Sequence, residues 1–426
     1  MQSVITSTIQ YSQRTLLSAH LNALYKFTVR MESNGYPDPY GRFEWLLAAA
    51  QTAELFEQQA STDFWQKLEE EISKKEFKIA TLAYDLKNIT EDLQSENPDS
   101  AEFPEVCVWQ PEVIIALKRD GSFVCKGIGD LGALLQKVAE SVAEPAVIQD
   151  TVQVHSPGFD EYNQSFKAMH NHILRGDIYE VNLCRQETAI VKNLKPELLF
   201  DKLNLSSPAP FACLHKVNHM HLICTSPERF LQKQNCLLIS QPIKGTARRF
   251  TDPGLDLASA ESLRNNPKEQ SENVMIVDLV RNDLSHFASR GKVQVRELFG
   301  IYKFPKVFQM VSTIEAELEN ENDGIRALAA AFPMGSMTGA PKISAMKLIE
   351  KHESFKRGIY SGASGYITET GDFDFNVVIR SFIWNEKSGM LCLSAGSAIT
   401  LDAEAQSEFD ECRLKAEALW NSILKP

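Results

Sequence analysis

Residues 360–424 read YSGASGYITETGDFDFNVVIRSFIWNEKSGMLCLSAGSAITLDAEAQSEFDECRLKAEALWNSIL. Three runs within them, Tyr360–Thr368, Asp374–Trp384 and Met390–Thr400, are rich in apolar, aromatic and β-branched residues and read as strands separated by turns. A helix is expected after them, over Ala405–Leu424. Upstream the same mixture continues. Helices are expected at Asp160–Arg175, closed by Gly176-Asp177, and at Pro267–Phe287, where Pro267 suits a first turn. Another is expected at Ala340–His352, behind the glycine-bounded turn Gly335–Gly339. Strands are expected in IYEVNLCRQETAIV (178–191), Met220–Thr225 and Cys236–Ser240. Strands and helices mixed without strict βαβ regularity indicate an α+β architecture.

At 426 residues the chain exceeds one simple domain. A variable N-terminal region, 1–150, is expected to pack against a catalytic region, 151–426. In the first, Leu21–Arg30, Lys78–Tyr84 and Val113–Lys118 read as strands. Phe56–Lys75, carrying Glu69, Glu70 and Glu71, reads as a solvated helix, and Asp92–Pro104 as a loop.

Hydrophobic residues at 43% and charged residues at 23% are ordinary for a soluble globular protein. A net charge of −12 argues against non-specific nucleic-acid binding and against anionic membranes. It leaves open an anionic small substrate, which local charge in a cleft would decide. The eight cysteines form no CxxC pair and no zinc-like spacing, so they read as reduced core residues. No signal peptide and no membrane span is apparent, and the cytoplasm is the expected location.

Two glutamate pairs, Glu269 with Glu272 and Glu408 with Glu411, are spaced i, i+3 in segments that both read as helix. That spacing puts each pair on one face. Alone it is commonest on exposed acidic surfaces. Brought together, four carboxylates are costly without a cation, and a hard divalent ion with oxygen ligands is the simplest remedy. Lys415, four residues after Glu411, falls on the same face.

GDIYEVNL, SPERFL, PIKGTARR, ENVMIVDLVRNDL, FPMGSMTGAPK, GIYSGASGY, VVIRS and QSEFDECRLKAEAL occur in that order between Gly176 and Leu419. In these blocks the chain resembles the chorismate-utilising enzymes, the family of anthranilate, aminodeoxychorismate, isochorismate and salicylate synthases. The resemblance implies a large two-sheet sandwich with flanking helices and an active site in a cleft. It implies Mg²⁺ held directly by Glu272 and Glu411, with Glu269 and Glu408 acting mostly through water. Arg380 and Tyr366 would bind the enolpyruvyl carboxylate, helped by backbone around Gly396. Lys415 would contact the metal-bound carboxylate. Gly245, Thr246, Thr338 and Gln309 would also lie against substrate, and Gly335 and Gly365 would let backbone approach it.

Glu228 in SPERF matches the family's general acid, which protonates the departing 4-hydroxyl. Lys244 in PIKGT discriminates among members. Anthranilate synthases carry alanine there, whereas a lysine resembles the aminodeoxychorismate synthases. In those the amine attacks ring carbon 2, and ammonia then adds at carbon 4 and expels it. Water-using members need a lysine where this chain has Glu180. Two positions depart from the family: Gln309 replaces a frequent histidine, and Ala398 stands where a second glycine is usual. No glutaminase nucleophile motif surrounds any cysteine, so a separate glutamine amidotransferase subunit is implied as the ammonia source. The rival readings are an anthranilate synthase component and a non-catalytic chorismate-binding subunit.

Overall fold

The computed structural model describes residues 9–140 and 152–424. Two antiparallel sheets face each other. Across one runs the strand order Gly339–Ala340, Glu180–Ile190, Met390–Ile399, Ser381–Asn385, Met220–Ser226, Phe211–Val217, Phe27–Glu32, Phe43–Ala50, Val113–Lys118, Phe123–Lys126. The other runs Ile243–Arg248, Val307–Leu318, Leu237–Gln241, Arg229–Gln234, Phe373–Val377, Ala363–Ile367, Lys78–Leu82, Val106–Trp109, Leu55–Glu57. Both sheets thus draw strands from the N-terminal third and from the rest of the chain. The junction between 150 and 151 lies outside the described residues.

Alternation along each strand sends one set of side chains into the space between the sheets. Phe27, Val29, Leu46 and Leu222 of the first sheet share a buried cluster with Ile79, Val108, Leu231 and Phe375 of the second. A polar contact also spans the gap, with His215 Nε2 2.6 Å from Ser364 Oγ. The outer face of the first sheet is covered by the helices Phe159–Leu174, Pro196–Ser206 and Ala405–Leu424. Tyr162, Phe166, Leu199, Phe200, Cys412 and Trp420 are buried there. The helix Pro267–Ser285 packs on the strands Ala288–Lys303 and Val307–Leu318 of the second sheet. The α+β sandwich with flanking helices is therefore the observed architecture.

Several expectations need correction. Leu21–Leu24 closes the helix Tyr11–Leu24, and the strand begins only at Phe27. Phe56–Lys75 divides into the end of the strand Leu55–Glu57 and a helix, Phe64–Ser73, whose Phe64 and Leu68 are fully buried, so the helix is solvated on one side only. Asp374–Trp384 is two strands in different sheets, Phe373–Val377 and Ser381–Asn385. At the crossing, Arg380 has φ +52°, a left-handed backbone that non-glycine residues rarely adopt and that recurs at functional sites. Apolar composition concealed this break, because both halves are buried.

Candidate active site

Strands of both sheets and the starts of two helices meet around a cavity of about 550 Å³. Strand Ile243–Arg248 supplies Lys244, Gly245 and Thr246, and strand Val307–Leu318 supplies Gln309. Glu228 comes from the turn before Arg229–Gln234, Arg380 from the crossing between sheets, and Gly396 and Ala398 from Met390–Ile399. The helix Pro267–Ser285 starts at the rim, with Asn266 accepting the amides of Lys268 and Glu269, and this places Glu269 and Glu272 in its first turns. The helix Ala405–Leu424 contributes Glu408, Glu411 and Lys415. Twelve expected site residues converge here from seven chain segments.

Two do not. Tyr366 lies in a separate, smaller cavity between the sheets, its ring stacked on Phe77 at 5.8 Å. The tyrosine lining the large cavity together with Arg380 is Tyr360, in the same GIYSGASGY block. Five residues lie between them, and the block alone does not distinguish which faces the ligand. Thr338 is fully buried in the turn after Met334, its hydroxyl 3.2 Å from the Gly335 carbonyl, and it does not line the cavity. Gly335 and Gly365 serve packing. A Cβ at Gly335 would lie 2.7 Å from Leu279 Cδ2, and one at Gly365 would lie 2.1 Å from the Asp374 carbonyl oxygen.

At Gly245 and Gly396 the space is closed by the site itself. Gly245 has φ +89°, and a Cβ there would meet Glu269 Oε2 at 2.8 Å. At Gly396 it would meet Asn182 Oδ1 at 2.2 Å. Lys415 Nζ donates to the Gly396 carbonyl at 2.8 Å and pairs with Glu411 at 2.6 Å, tying helix to strand.

The carboxylates titrate apart. Burial pushes Glu228 up to about 7, against smaller downward pulls from the Ser336 hydroxyl and the Lys244 ammonium. Arg229 beside it pairs elsewhere, with Asp374 at 2.9 Å and Asp38 at 2.5 Å. Burial also raises Glu272 to about 7, reinforced by Glu180 and opposed by Lys244. Glu269 and Glu408 are raised by burial, and Glu411 adds to both. Burial acts upward on Glu411 too, but Lys415, Lys244 and Lys268 together outweigh it and hold that carboxyl below its usual range.

Lys244 is buried, its Nζ 2.5 Å from Glu180 Oε1. Burial alone would lower its pKa, yet Glu180, Glu272 and Glu228 together raise it. Gln309 is buried with its Oε1 unpartnered, an acceptor that a ligand could satisfy. Arg380 makes no ion pair among the described residues, so its guanidinium is available to an anion.

The donor set suits a hard cation. It consists of carboxylate oxygens from two helices, and burial already disfavours their charge. Among the described residues, no three carboxylate, histidine or cysteine groups converge closely enough to hold an ion unaided. Mg²⁺ takes one or two carboxylates and completes its shell with water and substrate. Among the described residues no helix is long and apolar enough to cross a membrane.

A profile of chorismate binding enzymes matches residues 29–421. Aminodeoxychorismate synthase component 1 of Klebsiella aerogenes is 38% identical over 253 residues, covering 59% of this chain and 55% of that protein. Its Escherichia coli K12 counterpart is 36% identical over 266 residues, covering 62% and 57%. The match thus spans little more than half the length of these curated relatives. Anthranilate synthase component I of Streptococcus pneumoniae superposes with a TM-score of 0.73 at 24% identity, covering 92% of both chains. MenF, the menaquinone-specific isochorismate synthase of Escherichia coli, superposes at 0.71 and 17% identity, covering 94% and 88%. At those identities the likeness is one of fold.

Proposed function

The chain belongs to the chorismate binding enzyme family, and we propose that it aminates chorismate at carbon 4 to give 4-amino-4-deoxychorismate. The observation carrying this reading is Lys244, a buried amine in the same cavity as the buried acid Glu228 and four carboxylates. Arg380 and Tyr360 would hold the enolpyruvyl arm, the guanidinium pairing with its carboxylate in two parallel hydrogen bonds. Lys244 would attack ring carbon 2 while Glu228, protonated near neutral pH, gives its proton to the leaving 4-hydroxyl. Ammonia then bonds to carbon 4, and the lysine amine leaves carbon 2.

Mg²⁺ would be held by Glu272 and Glu411, with Glu269 and Glu408 through water, and would neutralise the ring carboxylate. Lys415 orients Glu411 from its own helix. Ammonia would come from a glutamine amidotransferase subunit, consistent with the "component 1" naming of the relatives. The product would feed p-aminobenzoate and folate synthesis, in the cytoplasm.

The test is product identification. Protein incubated with chorismate, Mg²⁺ and ammonium should yield a species that a lyase converts to p-aminobenzoate. Anthranilate fluorescence in its place assigns the anthranilate activity, and binding without turnover assigns a non-catalytic subunit.

A further inference from the structure

Glu180 sits behind Lys244, 1% exposed, with Oε1 2.5 Å from the lysine Nζ and Oε2 without a hydrogen-bond partner. Its backbone is pinned. Glu180 pairs with Ala340 across the sheet, and a Cβ on neighbouring Gly339 (φ +152°) would lie 2.2 Å from the Glu180 carbonyl oxygen. Among the described residues Glu180 is the sole hydrogen-bond partner of the lysine amine.

We propose that Glu180 is the proton acceptor that turns the Lys244 ammonium into the attacking amine. The role rests on the amination reading above. The charged groups facing Lys244 are Glu180, Glu272, Glu228, Glu269 and Glu411, all carboxylates, so the resting lysine holds its proton. An ammonium has no lone pair, and the proton must leave before the attack. Once chorismate displaces water, a buried ion pair loses its solvation, and a neutral amine beside a carboxylic acid becomes the better-solvated alternative.

The steps balance. One proton passes from Nζ to Glu180. The freed lone pair forms the bond to ring carbon 2, the ring double bonds shift, and the carbon 4–oxygen bond breaks. The oxygen departs as water with the Glu228 proton. Ammonia bonds to carbon 4, the double bonds return, and the bond from carbon 2 to Nζ breaks. Glu180 then returns its proton to the released amine, and the ammonium on the product reprotonates Glu228.

The test compares pH–rate profiles of wild type, Glu180→Gln and Glu180→Asp with chorismate, Mg²⁺ and ammonium. The amide accepts no proton, so Glu180→Gln should lose ~100-fold or more in kcat at neutral pH. It should recover as pH rises, while its KM for chorismate stays within about threefold of wild type. Glu180→Asp should keep the shape of the wild-type profile at reduced height. A Glu180→Gln profile parallel to wild type, or a loss expressed in KM alone, overturns the role. Should Glu180→Gln fail to melt cooperatively, the aspartate variant decides, and a changed profile shape there overturns it. A wild type that makes no 4-amino-4-deoxychorismate instead overturns the amination reading itself.

Discussion

Lys268 Nζ lies 3.6 Å from Glu408 Oε1, so the first turn of Pro267–Ser285 reaches a carboxylate of the facing helix Ala405–Leu424. The same ammonium is 3.8 Å from Glu272. A positive charge from the protein therefore stands between the two acidic pairs.

A divalent cation must share or displace that charge. Mg²⁺ should raise the melting temperature of the wild type, as any ligand of the folded state does. Lys268→Met removes the competitor, and the midpoint of this Mg²⁺-dependent shift should fall several-fold. A midpoint that rises would show the lysine assisting the ion instead.

Lys244→Ala should abolish formation of the para product and leave chorismate affinity largely intact, as followed by calorimetry beside product analysis. Burial makes Lys244 a poor surface for general binding energy, and its loss removes a bond-forming atom. Normal turnover by the variant would remove the nucleophile role.

Glu228 links stability to pH. Its folded-state pKa, about 7, lies above the ordinary 4.5, so the fold favours the protonated form. That contribution is whole below the unfolded value and is lost as pH rises through about 7. Glu228→Gln stays neutral throughout. It should match wild type below the ordinary 4.5, gain on it progressively between there and about 7, and exceed it above that by up to roughly 3 kcal/mol in denaturant melts. Equal stability at every pH would contradict the assigned burial cost. The variant should also lose most turnover, since it has no proton to donate.

Tyr360 and Tyr366 separate by position. Tyr360→Phe should raise the chorismate KM, whereas Tyr366→Phe should leave both kinetic constants near wild type because its ring lies in a separate cavity. Arg380→Lys should raise KM by about 10- to 100-fold through loss of the bidentate fork. Steady-state kinetics on the three variants decides.

Much of the site was legible from spacing. The i, i+3 pairs at 269/272 and 408/411 had to share helix faces, and both helices begin within two residues of expectation. The roles of Lys244 in PIKGT and Glu228 in SPERF came through the family resemblance, whereas the strand that carries the lysine and the turn that carries the acid came from the structure. What stayed hidden depends on which of two buried directions a residue takes. Tyr360 and Tyr366 are both buried in one glycine-rich block, and composition is the same for a side chain facing the ligand or the opposite sheet. Arg380 read as a strand residue because the chain is apolar on both sides of the crossing.

Residue periodicity determined the mixed α+β class and the paired glutamate faces, because local residue types constrain helix faces and strand alternation directly, and the order of the motifs carried the family resemblance that singled out the lysine. Only the tertiary structure decided that Glu180 is the partner of Lys244 across 64 residues and that Lys268 bridges the acidic helices. Such pairings depend on how distant strands and helix starts converge on one cavity, a relation that sequence spacing does not encode.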